Sequence, residues 1–181
     1  MKRAFVVALL GAESTGKTTL AGDIGAALSA RGMRTAVVGE VLREFCLDHA
    51  RTPRRDEQAG IAAEQTRRIQ AAAATAEVVV ADTTALMIAV YSDLVFGDAS
   101  LYAEAEAAQR RLDLTLVTAL DLPWQADGLQ RDGPHVRDPV DALIRSALAR
   151  ARVSARPVSG MGASRLASAV ACIDRAFAPE R

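Results

Sequence analysis

Residues 11–18 read GAESTGKT and match G-x-x-x-x-G-K-[ST], the pattern of a phosphate-binding loop. The apolar run at residues 4–10 precedes this stretch and has the composition of a buried parallel strand. Leu20, Ile24 and Leu28 follow it at the spacing of the inward face of a helix. Strand, glycine-rich loop and helix is the order that a P-loop requires, so the sequence predicts this element rather than a chance glycine turn.

The residue types of the loop suit the charge of a nucleoside triphosphate. Gly11 and Gly16 permit tight curvature, so that several backbone N–H groups can point at phosphate oxygens. Lys17 is predicted to reach the β- and γ-phosphates, and the hydroxyl of Thr18 to hold Mg²⁺. Lys2 and Lys17 are the only lysines in a chain that otherwise uses arginine. The predicted ATP-binding residues of this stretch are Gly11, Glu13, Ser14, Thr15, Gly16, Lys17, Thr18 and Thr19.

Composition limits the class of protein. The chain has 181 residues, half of them hydrophobic, with 22 basic and 22 acidic residues. This length fits one domain over residues 1–181, and the balanced charge predicts no nucleic-acid or membrane partner. No apolar run approaches the roughly 18 residues of a membrane span, and no signal-peptide cleavage site follows the first residues, so we expect a cytoplasmic protein. Cys46 and Cys172 are expected to be reduced and buried, and His49 and His135 are too sparse for a protein-built zinc site.

A second strand is predicted at residues 34–39, with Glu40 directly after it. Residues 41–47 look helical and place Arg43 and Glu44 on the same side as Glu40. Ligands of open parallel sheets collect at the carboxyl ends of strands, so Glu40, with Glu44 as the alternative, is the predicted catalytic carboxylate that accepts or orients an acceptor hydroxyl. Arg43 is predicted to bind substrate or a phosphate. The alternative is a solvated helix face held by local ion pairs.

A third strand is predicted where four apolar residues, 78–81, lead into Asp82. Such a strand delivers a carboxylate beside the Mg²⁺ of a P-loop, so Asp82 is predicted as both a metal ligand and a catalytic residue. It follows a long alanine-rich helix, expected over residues 56–76. In the apolar helix predicted at residues 86–96, Tyr91 is interpreted either as a stacking partner for a substrate ring or as a core residue.

Residues 121–138 form a long, polar, glycine-punctuated segment, which is rare in a compact domain unless it has a function. We predict a lid in which Arg131 and Arg137 meet the charge of the transferring phosphoryl group; exposed loop arginines are the alternative. Trp124 and Asp127 are predicted to hold the acceptor, the indole by stacking and the carboxylate by hydrogen bonds to sugar hydroxyls.

Further strands are expected at residues 114–118 and 153–158. After the last of these, Gly160 and Gly162 leave room for adenine, although a plain turn explains them nearly as well. The whole pattern predicts an α/β P-loop NTPase fold, with a parallel sheet of about five strands, helices on both faces and a lid.

In order along the chain, GAESTGKTTLA, EVLREFC, RTPRRDEQ, VVVADTTALMIAVYSDLVFGD, DLPWQADGLQRDG and SGMGASR resemble the nicotinamide-riboside kinase domain of the NadR family, grouped with AAA-like ATPases. The resemblance runs from about Leu9 to Arg165. It implies transfer of the γ-phosphoryl group of ATP, with Mg²⁺, to the 5′-hydroxyl of nicotinamide riboside, giving nicotinamide mononucleotide.

The resemblance also distributes roles among the residues. It places Lys17, Thr18, Asp82 and the lid arginines in the nucleotide machinery, and it places Glu40, Tyr91, Trp124 and Asp127 on the acceptor side. No nucleotidyl-transfer H-x-G-H motif appears in the chain, and nothing is expected before the first strand. Other open interpretations are a kinase for another nucleoside or small hydroxylated acceptor, and a nucleotide-sensing regulatory module. A homo-oligomer is also left open.

Overall fold

A parallel five-stranded sheet organises the protein, whose computed structural model describes residues 3–125 and 133–177. The spatial order of the strands is β2-β3-β1-β4-β5, and every neighbouring pair is parallel. The predicted fold class is confirmed. The strands are β1 (Phe5–Leu10), β2 (Thr35–Val38), β3 (Val78–Asp82), β4 (Leu114–Thr118) and β5 (Ala155–Val158).

The central strand is β1, which has β3 on one edge and β4 on the other. Leu9 pairs with Asp82 of β3 and with Leu116 of β4, so the ends of these two strands flank the loop that leaves β1. Side chains on both faces of β1 are fully buried from Val7 to Leu10. This burial explains the unbroken apolar run in the sequence, because a strand covered on both faces has no polar side to display.

Seven helices and two short 3-10 turns are present among the described residues. Within this part of the chain, no helix is long and apolar enough to cross a membrane. The helices are α1 (Lys17–Ala30), α2 (Val41–His49), α3 (Gln58–Ala73), α4 (Ala85–Phe96), α5 (Tyr102–Gln109), α6 (Arg137–Ala151) and α7 (Gly162–Phe177). The 3-10 turns are Arg55–Glu57 and Pro134–Val136.

The helices cover the two faces of the sheet in separate layers. Helices α1 and α7 pack on one face, where Ile24 and Ile173 meet Leu9. Helices α3, α4 and α6 pack on the other, where Leu86 and Ile144 join the core around Leu10. Burying each large apolar side chain stabilises the fold by about 1.5–3 kcal/mol. The predicted phosphate loop lies at the carboxyl edge of the sheet, between the end of β1 and the start of α1.

One glycine sets the distance between α1 and the sheet. A Cβ added at Gly25, in the middle of α1, would lie 2.4 Å from Cγ2 of Val37 in β2. A side chain at this position would therefore push the helix off the strand. Gly22 lies one turn earlier in the same helix, and an added Cβ there would meet no atom within 4 Å.

The structure corrects several predicted boundaries. The fourth strand occupies the predicted residues 114–118, whereas the helix expected at residues 56–76 is a 3-10 turn followed by α3 over Gln58–Ala73. Within the segment 121–138, for which a lid is predicted, Pro134 fixes the backbone for a 3-10 turn and α6 begins at Arg137. Cys46 and Cys172 are buried thiols that form no disulfide, as predicted.

Candidate nucleotide and acceptor site

The predicted phosphate loop lies between β1 and α1. Gly11 has φ 153° and Gly16 has φ 73°, and α1 begins at Lys17 after Gly16, an N-cap residue that has no side chain to cap the helix. The amides of a helix N-terminus, together with the helix dipole, favour an anion. The loop therefore has the local geometry that binds phosphate.

Thr118, the last residue of β4, forms the floor under this loop. Its Oγ1 lies 2.7 Å from Oγ1 of Thr15 and 3.2 Å from the carbonyl oxygen of Leu10. Thr15 in turn donates to the carbonyl of Ala12 at 2.8 Å. A Cβ at Gly11 would lie 2.0 Å from Oγ1 of Thr118, so the loop packs onto that hydroxyl only because residue 11 has no side chain. The sequence analysis did not identify Thr118 as a functional residue.

Lys17 closes the loop in this structure. Its Nζ donates a hydrogen bond to the carbonyl of Ala12 at 2.9 Å, across five residues of the same loop. The side chain is partly buried, whereas the neighbouring Thr18 is exposed at the first turn of α1. The ammonium group thus lies against the backbone of the loop.

Asp82 ends β3 beside the loop and is 2% exposed. Its Oδ1 accepts no hydrogen bond from the part of the chain that the structure describes. Leaving a buried carboxylate oxygen without a partner costs about 1–3 kcal/mol, so this atom suits a cation. The next residue, Thr83, has φ 73°, which is strained for a β-branched side chain, and its N–H donates to the carbonyl of Leu9 at 3.1 Å.

The described residues contain no cluster of three or more His, Cys, Asp or Glu side chains that could hold a metal ion by itself. A site with one carboxylate, one hydroxyl and substrate phosphates is the usual arrangement for Mg²⁺, which keeps several waters. Asp82 and Thr18 fit such a site, since one offers a buried unused oxygen and the other an exposed hydroxyl.

A cavity of about 810 Å³ lies over the carboxyl edge of the sheet. The P-loop forms its middle. Residues of α2, of the connection at 52–58 and of α4, which follow β2 and β3, line one side. Leu122, Pro123 and Gln125, which follow β4, and Met161, Gly162 and Arg165, which follow β5, line the other. The strand order therefore places these two sets of lining residues on opposite sides of the P-loop. We call the two sides of this one cavity the β2–β3 chamber and the β4–β5 chamber.

The structure brings most of the predicted site residues to this cavity. Those that line it are Glu13, Ser14, Thr15, Gly16, Lys17, Thr18, Thr19, Glu40, Arg43, Tyr91 and Gly162. Among the predicted residues that the structure describes, Gly11, Asp82, Trp124, Arg137 and Gly160 do not contribute to its wall. Asp127 and Arg131 lie outside the described residues.

Arg137 occupies a different place from the one expected for a lid arginine. It is 9% exposed at the start of α6, and its Nη1 donates to the carbonyl of Leu122 at 2.9 Å. Its Nε and Nη2, like Nε1 of Trp124, have no hydrogen-bond partner in residues 3–125 and 133–177. Arg137 thus binds the backbone of Leu122, which lines the cavity. The other two nitrogens of its guanidinium group, Nε and Nη2, are buried.

A buried glutamine joins the ends of β2 and β3. Gln65 of α3 is fully buried, and its Oε1 accepts the N–H of Val41 at 2.8 Å. Its Nε2 donates to the carbonyls of Gly39 at 3.1 Å and Thr83 at 3.4 Å. One side chain therefore fixes the backbone beside both Glu40 and Asp82. The sequence placed Gln65 in a helix, but no motif marked this role.

The β4–β5 chamber is held by another pair that the sequence analysis missed. Arg165, 4% exposed, donates to the carbonyl of Gly160 at 2.9 Å and to Oδ1 of Asp121 at 2.6 Å. Oδ2 of Asp121 accepts the N–H of Gly160 at 2.6 Å. This ion pair therefore links the segment after β4 to the turn after β5.

The connection from Arg51 to Gln58 forms part of the β2–β3 chamber and is fixed by ion pairs. Glu57 accepts two hydrogen bonds from the guanidinium of Arg51, both at 2.7 Å, and one from the N–H of Arg54 at 2.7 Å. The hydrogen bonds from Arg51 and Arg54 lower the pKa of Glu57 to about 2, so the carboxylate stays ionised at neutral pH. The connection thus presents Thr52, Pro53 and Gln58 to the cavity from a fixed backbone.

Sheet order, P-loop and the carboxylate at the end of β3 together define a P-loop NTPase. The AAA domain family matches residues 6–165, which is most of the chain, so the chain belongs to the AAA domain family. No curated protein matches the sequence at the significance that we accept.

Two solved structures of NadR proteins share the fold. One is a complex with NAD and AMP-PNP; its TM-score is 0.76 at 19% identity, over 98% of this chain and 51% of that one. The other is a complex with NR, with a TM-score of 0.75 at 19% identity, over 95% of this chain and 49% of that one. The chain therefore spans about half the length of these NadR proteins.

Proposed function

We propose that this chain is an ATP-dependent kinase that phosphorylates the 5′-hydroxyl of nicotinamide riboside in the cytoplasm. The observation that carries the proposal is the continuity of the cavity: the P-loop and the β2–β3 chamber, with Glu40, Arg43 and Tyr91, line the same space. A kinase needs such continuity, because donor and acceptor must meet within about 3–3.5 Å. The resemblance to NadR, one structure of which is a complex with NR, supports the choice of acceptor.

In this proposal the P-loop holds the triphosphate. The backbone N–H groups of residues 13–19 bind phosphate oxygens, and Lys17 exchanges the carbonyl of Ala12 for the β- and γ-phosphates. Thr18 and Asp82 are the residues that would hold Mg²⁺, which when bound neutralises charge that develops on the phosphates. Gly162, which lines the β4–β5 chamber and beside which an added Cβ would meet no atom within 4 Å, leaves room for adenine. Gly160 supports the turn next to it, where an added Cβ would lie 2.7 Å from Oγ of Ser164.

Glu40 takes the proton of the acceptor hydroxyl in this scheme. The hydroxyl oxygen forms a bond to the γ-phosphorus, the bond from that phosphorus to the β–γ bridging oxygen breaks, and ADP leaves. A positioned carboxylate base contributes typically 10²–10⁴-fold. Arg43 and Tyr91 orient the riboside in the same chamber. Trp124 and Asp127 are assigned to acceptor binding, and Arg131 to transition-state charge. Arg137, which does not line the cavity, would have to leave the carbonyl of Leu122 to join Arg131 in that role.

The test is ADP release with a panel of acceptors: nicotinamide riboside, nicotinic acid riboside, adenosine, cytidine and uridine. We expect the highest kcat/KM for nicotinamide riboside, with its 5′-phosphate as product by mass spectrometry. Lys17→Ala should reduce turnover at least 100-fold and keep the wild-type circular dichroism spectrum.

A preference for an acceptor without the pyridinium ring would contradict nicotinamide riboside as the substrate, but it would still support a kinase activity. Slow turnover with tight product binding would instead favour a nucleotide-sensing module. Wild-type activity in Lys17→Ala would contradict the assignment of the P-loop itself.

A further inference from the structure

Gln58 is a buried polar group of the β2–β3 chamber to which the proposed mechanism gives no role. It is the first residue of α3, lines the cavity and is 5% exposed. Its Oε1 accepts no hydrogen bond from residues 3–125 or 133–177. A buried amide oxygen without a partner is unfavourable, and such atoms at a ligand cavity are often completed by the ligand.

The position of this amide is fixed from outside the cavity. The preceding residue, Glu57, is held by Arg51 and by the N–H of Arg54. Gln58 then enters α3, whose backbone continues to the fully buried Gln65. Because the backbone is held on both sides, the amide can act as a defined recognition group rather than a mobile surface chain.

The wall around Gln58 is mainly apolar. The same side of the cavity is lined by Leu42, Pro53, Tyr91, Val95 and Phe96. Flat aromatic ligands suit such a wall, and a small number of polar groups then fixes their orientation. In this chamber Glu40 and Arg43 are the charged groups and Gln58 is a neutral amide.

An amide side chain distinguishes a carboxamide from a carboxylate. A carboxamide offers one acceptor and two donors, so it can donate to Oε1 and accept from Nε2 of the glutamine at the same time. A carboxylate offers acceptors alone, so it can pair with Nε2 but faces Oε1 without a proton between them.

We propose that Gln58 recognises the carboxamide of the acceptor, so that the site selects a pyridine riboside with a neutral amide over its carboxylate counterpart. This inference rests on the proposed kinase function. The unfavourable pairing of a carboxylate with Oε1 should give the carboxamide riboside an advantage of about 10- to 100-fold in kcat/KM.

The experiment measures kcat/KM for nicotinamide riboside and nicotinic acid riboside in three variants. Gln58→Met keeps the length of the side chain and removes its hydrogen bonds, so the preference for the carboxamide should fall about 10-fold or more. Gln58→Glu keeps an acceptor for the carboxamide N–H and repels a carboxylate, so the preference should rise. Gln70→Met is the control. It makes the same substitution at an exposed position of α3 and should leave kcat/KM for both ribosides unchanged.

Opposite shifts of the ratio in Gln58→Met and Gln58→Glu support the inference, because a purely structural role would lower both rates together. If both variants keep the wild-type ratio, or lose activity equally on both acceptors, Gln58 is not the recognition group. If wild-type protein phosphorylates neither riboside, the proposed function fails. If it prefers the carboxylate, Arg43 rather than Gln58 governs the choice and the inference is overturned. Thermal unfolding of each variant with and without ATP checks that the fold is retained.

Discussion

The hydroxyl of Thr118 illustrates what a single residue contributes to this site. It supports the P-loop from a strand that lies 103 residues further along the chain than Thr15. The P-loop was recognisable from the sequence because its residues are adjacent. Its floor, Thr118, was not, because the sequence around a threonine at the end of a strand carries no distinguishing pattern. Gln65 and Arg165 were missed for the same reason, since their partners come from separate strands and turns.

We expect Thr118→Val to weaken ATP binding about 5- to 20-fold. The change keeps the shape of the side chain and removes the hydroxyl next to Thr15, which corresponds to the loss of about 1–2 kcal/mol. Calorimetric titration with a nonhydrolysable ATP analogue measures the effect.

The matched control is Thr115→Val in the same strand, where the hydroxyl accepts from Nε2 of Gln109 at 2.9 Å away from the loop. Thr115→Val should lower the melting temperature and leave the affinity for the analogue unchanged. Equal affinities in the two variants would show that the loop does not depend on its floor.

At the scale of secondary structure, helix α1 contributes both to the site and to the core. Its first turn carries Lys17 and Thr18, and its middle packs on β2 through Gly25. The periodicity of Leu20, Ile24 and Leu28 predicted the buried face of this helix correctly. It could not reveal that a glycine on the helix marks the point of closest approach to β2, because the distance between elements is a tertiary property. The polarity of the segment 121–138 likewise gave no sign of the 3-10 turn that begins at Pro134.

Two glycines of α1 give opposite predictions for the same substitution. Gly22→Ala should increase the free energy of unfolding by about 0.5–1 kcal/mol, because alanine favours the helix and the position is open. Gly25→Ala should decrease it, since the overlap with Val37 costs about 1–3 kcal/mol and exceeds the gain in helix propensity. Urea unfolding of both variants tests this pair. An increase in both would mean that Val37 moves aside without cost.

The acid stability of the whole molecule depends on carboxylates bound to arginine. The pKa of Glu57 is lowered to about 2 by hydrogen bonds from Arg51 and Arg54. Hydrogen bonds from Arg67 and Arg68 likewise lower the pKa of Glu64 to about 2. A lowered folded-state pKa contributes stability above the ordinary value of 4.5, and this contribution is lost as pH falls from there towards 2. Both groups are at the surface, so salt weakens the effect.

The melting temperature should therefore fall between about pH 5 and pH 2, and Glu57→Gln should make this fall less steep. Calorimetry over this range measures the slope. Glu104→Gln serves as the control, because Glu104 is an exposed carboxyl on α5 that forms no ion pair with the described residues. An unchanged slope in Glu57→Gln would show that the ion pairs around the 51–58 connection do not contribute to acid stability.

The central position of β1 has a consequence for folding during translation. Strands β3 and β4, which flank β1, are translated long after the P-loop, at residues 78–82 and 114–118. At about 5–20 residues per second, the ribosome needs roughly 5–20 s to travel from the loop to Thr118. During that interval the growing polypeptide carries the complete motif without its floor. Stalled nascent chains should therefore capture a fluorescent ATP analogue only after Thr118 has left the exit tunnel, and capture by shorter chains would contradict this order.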